Sequence, residues 1–370
     1  EQGLPEQAIA QYDRALQLRP NFASAHANRA LAQLQLGDFA NGWSEYEWRW
    51  SAGEKPRSGA ANSIPNWDGS SLAGRTIVIF GEQGVGDELM FATCYPDIIR
   101  KARRVVIVCE ARLERLLRRS FPTATVLAIP QGCDQTWQLP PQLTADVKCP
   151  AGSLPRWLRR NEAEFPKQDR LLLADPATTE AWRQRLATLG TAAKVGISWR
   201  TGETALDHTR RGTQLQQWKP LLAMPDIQWI NLQSGDCRQE LADASVPGKS
   251  SMHDWPEKNQ HYDLNGLAAK LAALDLVVTV DNTVAHLAAA VGTPTWILLP
   301  EPASWRWLQK RSDSPWYGSV RLFRQCRIGQ WGEVFHEVRQ ELLKRSFRLD
   351  EQSEIGPHAP HWSQIAKVRR

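Results

Sequence analysis

Three polar residues, Asp281, Asn282 and Thr283, interrupt an apolar run in VTVDNTVAHLAAAVGTP (278–294), and His286 follows within a helical turn. A carboxylate, two capping side chains and an imidazole at this spacing suit an anion seat. Asn282 or Thr283 starts a helix whose first N–H groups and partial positive charge attract a group such as a diphosphate. His286 then stands close enough to aim a ring nitrogen at a phosphate oxygen or a sugar hydroxyl. The same spacing fits a plainer reading, with Asp281 capping the helix and His286 packed beneath a sheet.

A second chemical stretch is GEQGVGDE (81–88). Gly81 and Gly86 have the spacing of a phosphate-binding loop, but Asp87 and Glu88 stand where Lys and then Ser or Thr are needed, and carboxylates repel phosphate. A dinucleotide fingerprint fails as well, because Leu89 stands where a third glycine should follow Gly84 and Gly86. What is left is a tight turn, Gly84 and Gly86 with Glu88 beside them, that presents Asp87 to take a proton from a substrate hydroxyl. Asp87 as a simple helix cap is the alternative. Charge to balance a departing diphosphate would come from Arg200, close behind Ser198 at the end of a strand, and from Arg210 and Arg211 in TGETALDHTRRG. Arginine does this without a metal, and no D-x-D motif marks a Mg²⁺ site.

Alternating strands and helices must position these groups. TIVIF (76–80) reads as a buried strand, ELMFATCYPDIIRKA as a helix, RVVIVCE as a strand and ARLERLLRRSF as a helix, and the alternation runs on raggedly to about 172. It restarts with a helix at 176–190, then strands at 194–199 and 228–233, a helix at 264–275, a strand at 276–280, a helix closed by Gly292 and a strand at 295–300. Such alternation implies parallel sheets covered on both faces. Two doubly wound units in tandem leave a cleft between them, with the 81–88 and 281–286 turns facing each other at the carboxyl ends of their strands. The expected divisions are 75–175 for the first unit, 176–330 for the second, a late helix at 331–347 and a polar tail at 348–370.

The first fifty residues repeat with a period of 34: Gly3 recurs as Gly37, Tyr12 as Tyr46, and Asp13 is matched by Glu47. That period belongs to stacked antiparallel helix pairs, and Ala8, Tyr12, Ala15 and Pro20 sit where the tetratricopeptide pattern puts them. A helical segment over 1–52 is expected, joined by a Ser/Gly/Pro/Asn-rich linker at 53–74. So short an array cannot bury its own faces, so it continues upstream or docks on the α/β units C-terminal to it.

Composition narrows the class. Of 370 residues, 42% are apolar and 23% charged, and no apolar run reaches the roughly 20 residues of a membrane span. The chain opens on Glu1-Gln2-Gly3 without a basic-then-apolar leader, so nothing argues for secretion. Six dispersed cysteines lack a C-x-x-C pair, which argues against disulfide or zinc frameworks and for a reducing, cytoplasmic setting. A net charge of +5 without a basic stripe disfavours nucleic acid but leaves anionic small ligands open.

Taken together, EQGVGDELMF, DLVVTVDNTVAHLAAAVGTP and WRWLQKRSDSPWYGSVRLFRQ resemble bacterial tetratricopeptide-repeat proteins with a glycosyltransferase domain of the heptosyltransferase superfamily, related to the O-linked N-acetylglucosamine transferases. The likeness covers about residues 1–345. It implies an α/β GT-B fold of two Rossmann-like domains facing a cleft, the first binding the acceptor and the second the nucleotide-sugar donor, with a C-terminal helix crossing back to the first. It also implies inverting, metal-independent transfer to a polypeptide or glycan acceptor, with no cofactor beyond the nucleotide-diphosphate sugar. By position, Asp87 matches the general base, and Asp281 and His286 match the donor-binding pair of a D-x-x-x-x-H turn. Asn282-Thr283 replaces the usual Thr-Ala, and WRT after the donor-domain strand replaces WSG, leaving donor identity open. The repeats would bind a polypeptide or protein partner. The competing expectation is a scaffold whose transferase-like half only senses a nucleotide sugar.

Overall fold

The computed structural model describes residues 3–54, 64–130, 132–133, 137–166, 168–201, 211–244, 252–255 and 263–352. Helices Pro5–Leu18, Ala23–Gln35 and Phe39–Tyr46 form the N-terminal segment, closed by a turn of 3-10 helix at Glu47–Arg49. Gly37, at φ +82°, reverses the chain where a side chain would be strained. Asp38 then caps the third helix by accepting from the Asn41 N–H at 3.3 Å. Arg29 ties the three helices together, donating to Asp13 and Glu45 at 2.7 Å each.

Two wholly parallel sheets follow. The first contains β1 (Thr76–Phe80), β2 (Arg104–Glu110), β3 (Thr125–Ile129) and β4 (Val147–Pro150) in the order β3-β2-β1-β4. The second contains β5 (Ala193–Ser198), β6 (Ile227–Asn231), β7 (Leu276–Val280), β8 (Thr295–Leu299) and β9 (Val320–Arg324) in the order β6-β5-β7-β8-β9. TIVIF, LVVTV and TWILL are buried along their whole length, as strands between two helical layers must be. VRLFR, by contrast, alternates apolar residues with Arg321 and Arg324 and lies at the sheet edge, so its pattern gives no buried-strand signal. Strand order reverses between β1 and β4 in one sheet and between β5 and β7 in the other. The turns after β1 and β7 therefore stand at the two switch points, where parallel sheets bind ligands.

Three expectations change on folding. Part of the 53–74 linker is structural: Pro65 and Trp67 bond Lys148 of β4 at 2.9 and 2.7 Å, extending that edge. The late helix runs over Trp331–Gln352, beyond 347, while 353–370 lies outside the described residues. Its described side chains pack on the second unit: Trp331, Val334, Phe335, Val338 and Leu342 recur at helical spacing and meet Trp218 and Phe323.

The helical segment docks on the sheets instead of standing apart. Trp43, 1% exposed, donates its indole N–H to the Arg159 carbonyl at 3.1 Å and makes edge contacts with Phe91 of the first unit and Trp305 and Trp316 of the second. Next to it, buried Arg49 donates to Glu82 in the turn after β1 at 3.2 Å, to Ser153 after β4 at 2.8 Å, and to Glu47 at 2.9 Å. Burial pushes the Glu82 carboxyl up to about 7, against the pull of an Arg49 charge already shared with Glu47. A carboxyl that holds its proton more tightly when folded gives stability that is complete below its ordinary 4.5 and lost as pH rises through about 7. Relative to the unsubstituted chain, Glu82→Gln should thus gain up to about 3 kcal/mol between pH 4.5 and pH 7 in urea unfolding, at about 1.4 kcal/mol per unit. A stability difference flat across that window would show that Glu82 is ionised throughout.

Candidate active site

The helix Val85–Phe91 begins at Gly84 in extended backbone, and the helix Thr283–Ala290 begins at Asn282 likewise. Their first turns meet where the two sheets confront each other. A side chain on Gly86 would place its Cβ 3.0 Å from His286 Cδ2, a contact so tight that the ring would have to yield by a few tenths of an ångström. The turns face one another, but in direct contact and not across an open gap. His286 is 4% exposed, stacks on Trp307 with ring centroids 4.9 Å apart, and shares a 3.1 Å hydrogen bond between Nδ1 and the Tyr317 hydroxyl. Desolvation lowers its pKa to about 4, outweighing the nearby Asp281 and Asp87, so the ring is neutral at ordinary pH.

Asp87 makes one contact within its own turn and one across the seam. Its Oδ2 accepts from the Gly84 N–H at 3.3 Å, as a local cap does. Its Oδ1 accepts from Arg306 Nε at 2.6 Å and pairs with Nη2 of the same guanidinium, which reaches it from the opposite unit. On the second unit Asp281, 6% exposed, stands 4.0 Å from His286 Nε2 and 4.0 Å from Arg211. Two carboxylates, two guanidinium groups and a neutral imidazole thus converge at the seam.

Other expected site residues are placed differently. Ser198 and Asn282 hold the sheet edge together: Asn282 donates to the Ser198 hydroxyl at 2.9 Å and to the Arg200 carbonyl at 3.2 Å, while its oxygen caps Ala285 at 3.2 Å. The Arg200 guanidinium turns aside to Glu240 and the Asp236 carbonyl, each at 3.0 Å, because the helix Arg238–Ala244 supplies the Glu240 carboxylate within reach. Glu88 does not face the cleft. It is 1% exposed behind the turn and accepts from the Glu110 N–H at 3.2 Å, since one helical step beyond Asp87 points into the first sheet. Thr283 is half-buried in the helix's first turn, and Arg210 lies outside the described residues.

Sequence reasoning passed over Arg306, Tyr317, Glu82 and Gln83. Arg306 and Tyr317 lie within the aromatic stretches WRW and SPWYG, whose tryptophans Trp307 and Trp316 are core as their type suggests, while these two polar groups reach the seam. Gln83, at φ +59°, sits in backbone that favours glycine and donates to the Tyr46 hydroxyl at 2.5 Å and to Glu54 at 3.1 Å.

Comparison with known proteins agrees with this architecture. Residues 1–37 match the TPR repeat, and residues 261–298 match glycosyltransferase family 9 (heptosyltransferase). Protein FlbA of Caulobacter vibrioides is 31% identical over 385 aligned residues, 90% of this chain and 63% of that relative's length. The chain thus spans under two thirds of the relative it matches. A glycosyl transferase family 9 structure from Veillonella parvula aligns over 74% of this chain and 92% of its own, with a TM-score of 0.51 at 8% identity. The ADP-heptose LPS heptosyltransferase II of Escherichia coli aligns over 73% of this chain and 99% of its own, with a TM-score of 0.48 at 15% identity. Residues 1–37 thus resemble a TPR repeat, residues 261–298 resemble glycosyltransferase family 9 (heptosyltransferase), and the facing parallel sheets adopt the GT-B arrangement.

If Gly86 sets the spacing of the seam, Gly86→Ala should cost about 1–3 kcal/mol in chemical denaturation, as overpacking against the buried ring does. The His286 ring resonances should shift with it. A neutral substitution with unmoved His286 resonances would show that the two turns are not in contact.

Proposed function

We propose that this chain is an inverting glycosyltransferase that moves a sugar from a nucleotide-diphosphate sugar to an acceptor hydroxyl without a metal ion. The reading is carried by one observation: Asp87, from the switch point of one parallel sheet, lies at the same seam as Asp281 and His286 from the switch point of the other. Asp87 accepts the acceptor's hydroxyl proton, and the oxygen attacks the anomeric carbon. The bond from that carbon to the diphosphate oxygen breaks, and its electron pair leaves with the nucleoside diphosphate. One displacement inverts the anomeric centre.

The helix tip at Thr283 and the Arg211 guanidinium face the departing charge, which supports electrostatic stabilisation by the protein alone. Neutral His286 serves as a hydrogen-bonding partner for a phosphate oxygen or sugar hydroxyl and not as a cation. Arg200 acts through the Asn282 and Glu240 network that shapes this edge. The acceptor is a polypeptide or glycan hydroxyl presented to the first unit, and the helical repeats hold a protein partner. Free thiols at all six cysteines support a cytoplasmic setting. Among the described residues no helix is long and apolar enough to cross a membrane.

A second reading, a scaffold that senses nucleotide sugars without transferring them, draws support from the ion pair that occupies Asp87. The two are separated by assay. In the transferase, Asp87→Asn should cut transfer about 10²–10⁴-fold, the usual worth of a general base. It should not diminish the rise in melting temperature that a bound nucleoside diphosphate gives to the folded state. Undiminished transfer would remove Asp87 from the base role. Ligand-induced stabilisation with no transfer in either protein would favour the sensor.

A further inference from the structure

Arg306 is the residue at the seam that the transferase reading leaves without a task. Its side chain is half-buried, with the guanidinium carbon 4.8 Å over the Trp305 ring, Nη1 donating to Ser304 at 3.1 Å, and Nε and Nη2 both directed at Asp87. Neither fold needs this pair. Asp87 already has a local partner in the Gly84 N–H, and Arg306 belongs to a 3-10 turn on the opposite unit. Both contacts converge on one oxygen, Oδ1, so the planar fork of the guanidinium is not matched by a two-oxygen partner. The other charged or titratable groups facing this pair are Asp281, His286, Arg211, Tyr46 and Tyr317.

We propose that Arg306 is a donor-diphosphate ligand held in reserve by Asp87, exchanging the carboxylate for phosphate when the donor binds. This rests on the transferase reading. A diphosphate offers several oxygens and more than one negative charge to the same fork, so it outcompetes a single carboxylate oxygen. The exchange has a chemical consequence. Released from the ion pair, the Asp87 carboxylate oxygen is uncovered toward the acceptor hydroxyl only once the donor is in place. No bond is made or broken in the exchange; the arginine keeps its charge, and the proton taken by Asp87 comes from the acceptor in the transfer step.

The test is titration calorimetry of the full chain with ADP, GDP and UDP, comparing the unsubstituted protein with Asp87→Asn, Arg306→Ala, Arg306→Lys and the Asp87→Asn/Arg306→Ala pair. Releasing the competitor should make Asp87→Asn bind the preferred nucleotide about tenfold more tightly, and Arg306→Ala should bind it at least about tenfold more weakly, each worth about 1.4 kcal/mol. The gain from Asp87→Asn should vanish when Arg306 is absent, which a double-mutant cycle reads directly. Arg306→Lys, which keeps the charge without the fork, should fall between, and it carries the comparison if Arg306→Ala does not fold. An equal gain in both backgrounds would reduce Asp87 to simple repulsion and overturn the exchange, as would unchanged affinity in Arg306→Ala. A folded, unsubstituted chain that binds none of the three nucleotides would overturn the donor site itself, a different result from binding without coupling.

Discussion

The seam is built around a close approach at Gly86, which has no side chain to hold the two turns apart. The missing Cβ lets the first turn of one helix lie against the His286 ring of another, and this contact brings two switch points within side-chain reach. Asp87 is the next residue along, so the same approach carries it to Arg306. A methyl group at position 86 would push the turns apart along the axis that the reactive groups share. The burial that lowers the His286 pKa and the ion pair that occupies Asp87 both follow from that one close approach.

The helical segment is the third wall of the same structure. Trp43 inserts between the two units, and the residues just after it reach the turn behind Asp87: Tyr46 through Gln83, and Arg49 through Glu82. Gln83 accepts a backbone conformation that favours glycine in order to make its bond, and a strained residue persists only where its surroundings over-determine it. Repeats that hold a protein partner would thus be mechanically continuous with the turn that carries the proposed base. This continuity differs from an array hung on a linker, because a displacement of the third helix cannot leave Glu82 and Gln83 unmoved.

The buried charges along this junction favour geometry over stability. Glu82 and Glu47 share the one guanidinium of Arg49, and burial favours the neutral form of Glu82. Replacing such a set with apolar residues is often neutral or stabilising, so its presence fits a role in fixing register between segments. At the seam, Asp281 and Arg211 stand 4.0 Å apart.

The sequence by itself determined the types and order of the elements with strong local patterns. Apolar runs of five residues, glycines after helices and a 34-residue helical period are local signals, and they marked the buried strands β1, β7 and β8, the helical repeats and the turns that hold Asp87, Asp281 and His286. An edge strand with charges on it, β9, lacked such a signal. Tertiary structure alone decided where each polar side chain points. Glu88 and Asp87 are neighbours in sequence, yet one is buried behind the turn and the other lies at the seam, because one helical step rotates a side chain by about 100°. Arg200 found Glu240, and Arg306 found Asp87 across 219 positions of chain, because the partner of a long, flexible cation is set by what the fold brings near it and not by its own neighbours in sequence.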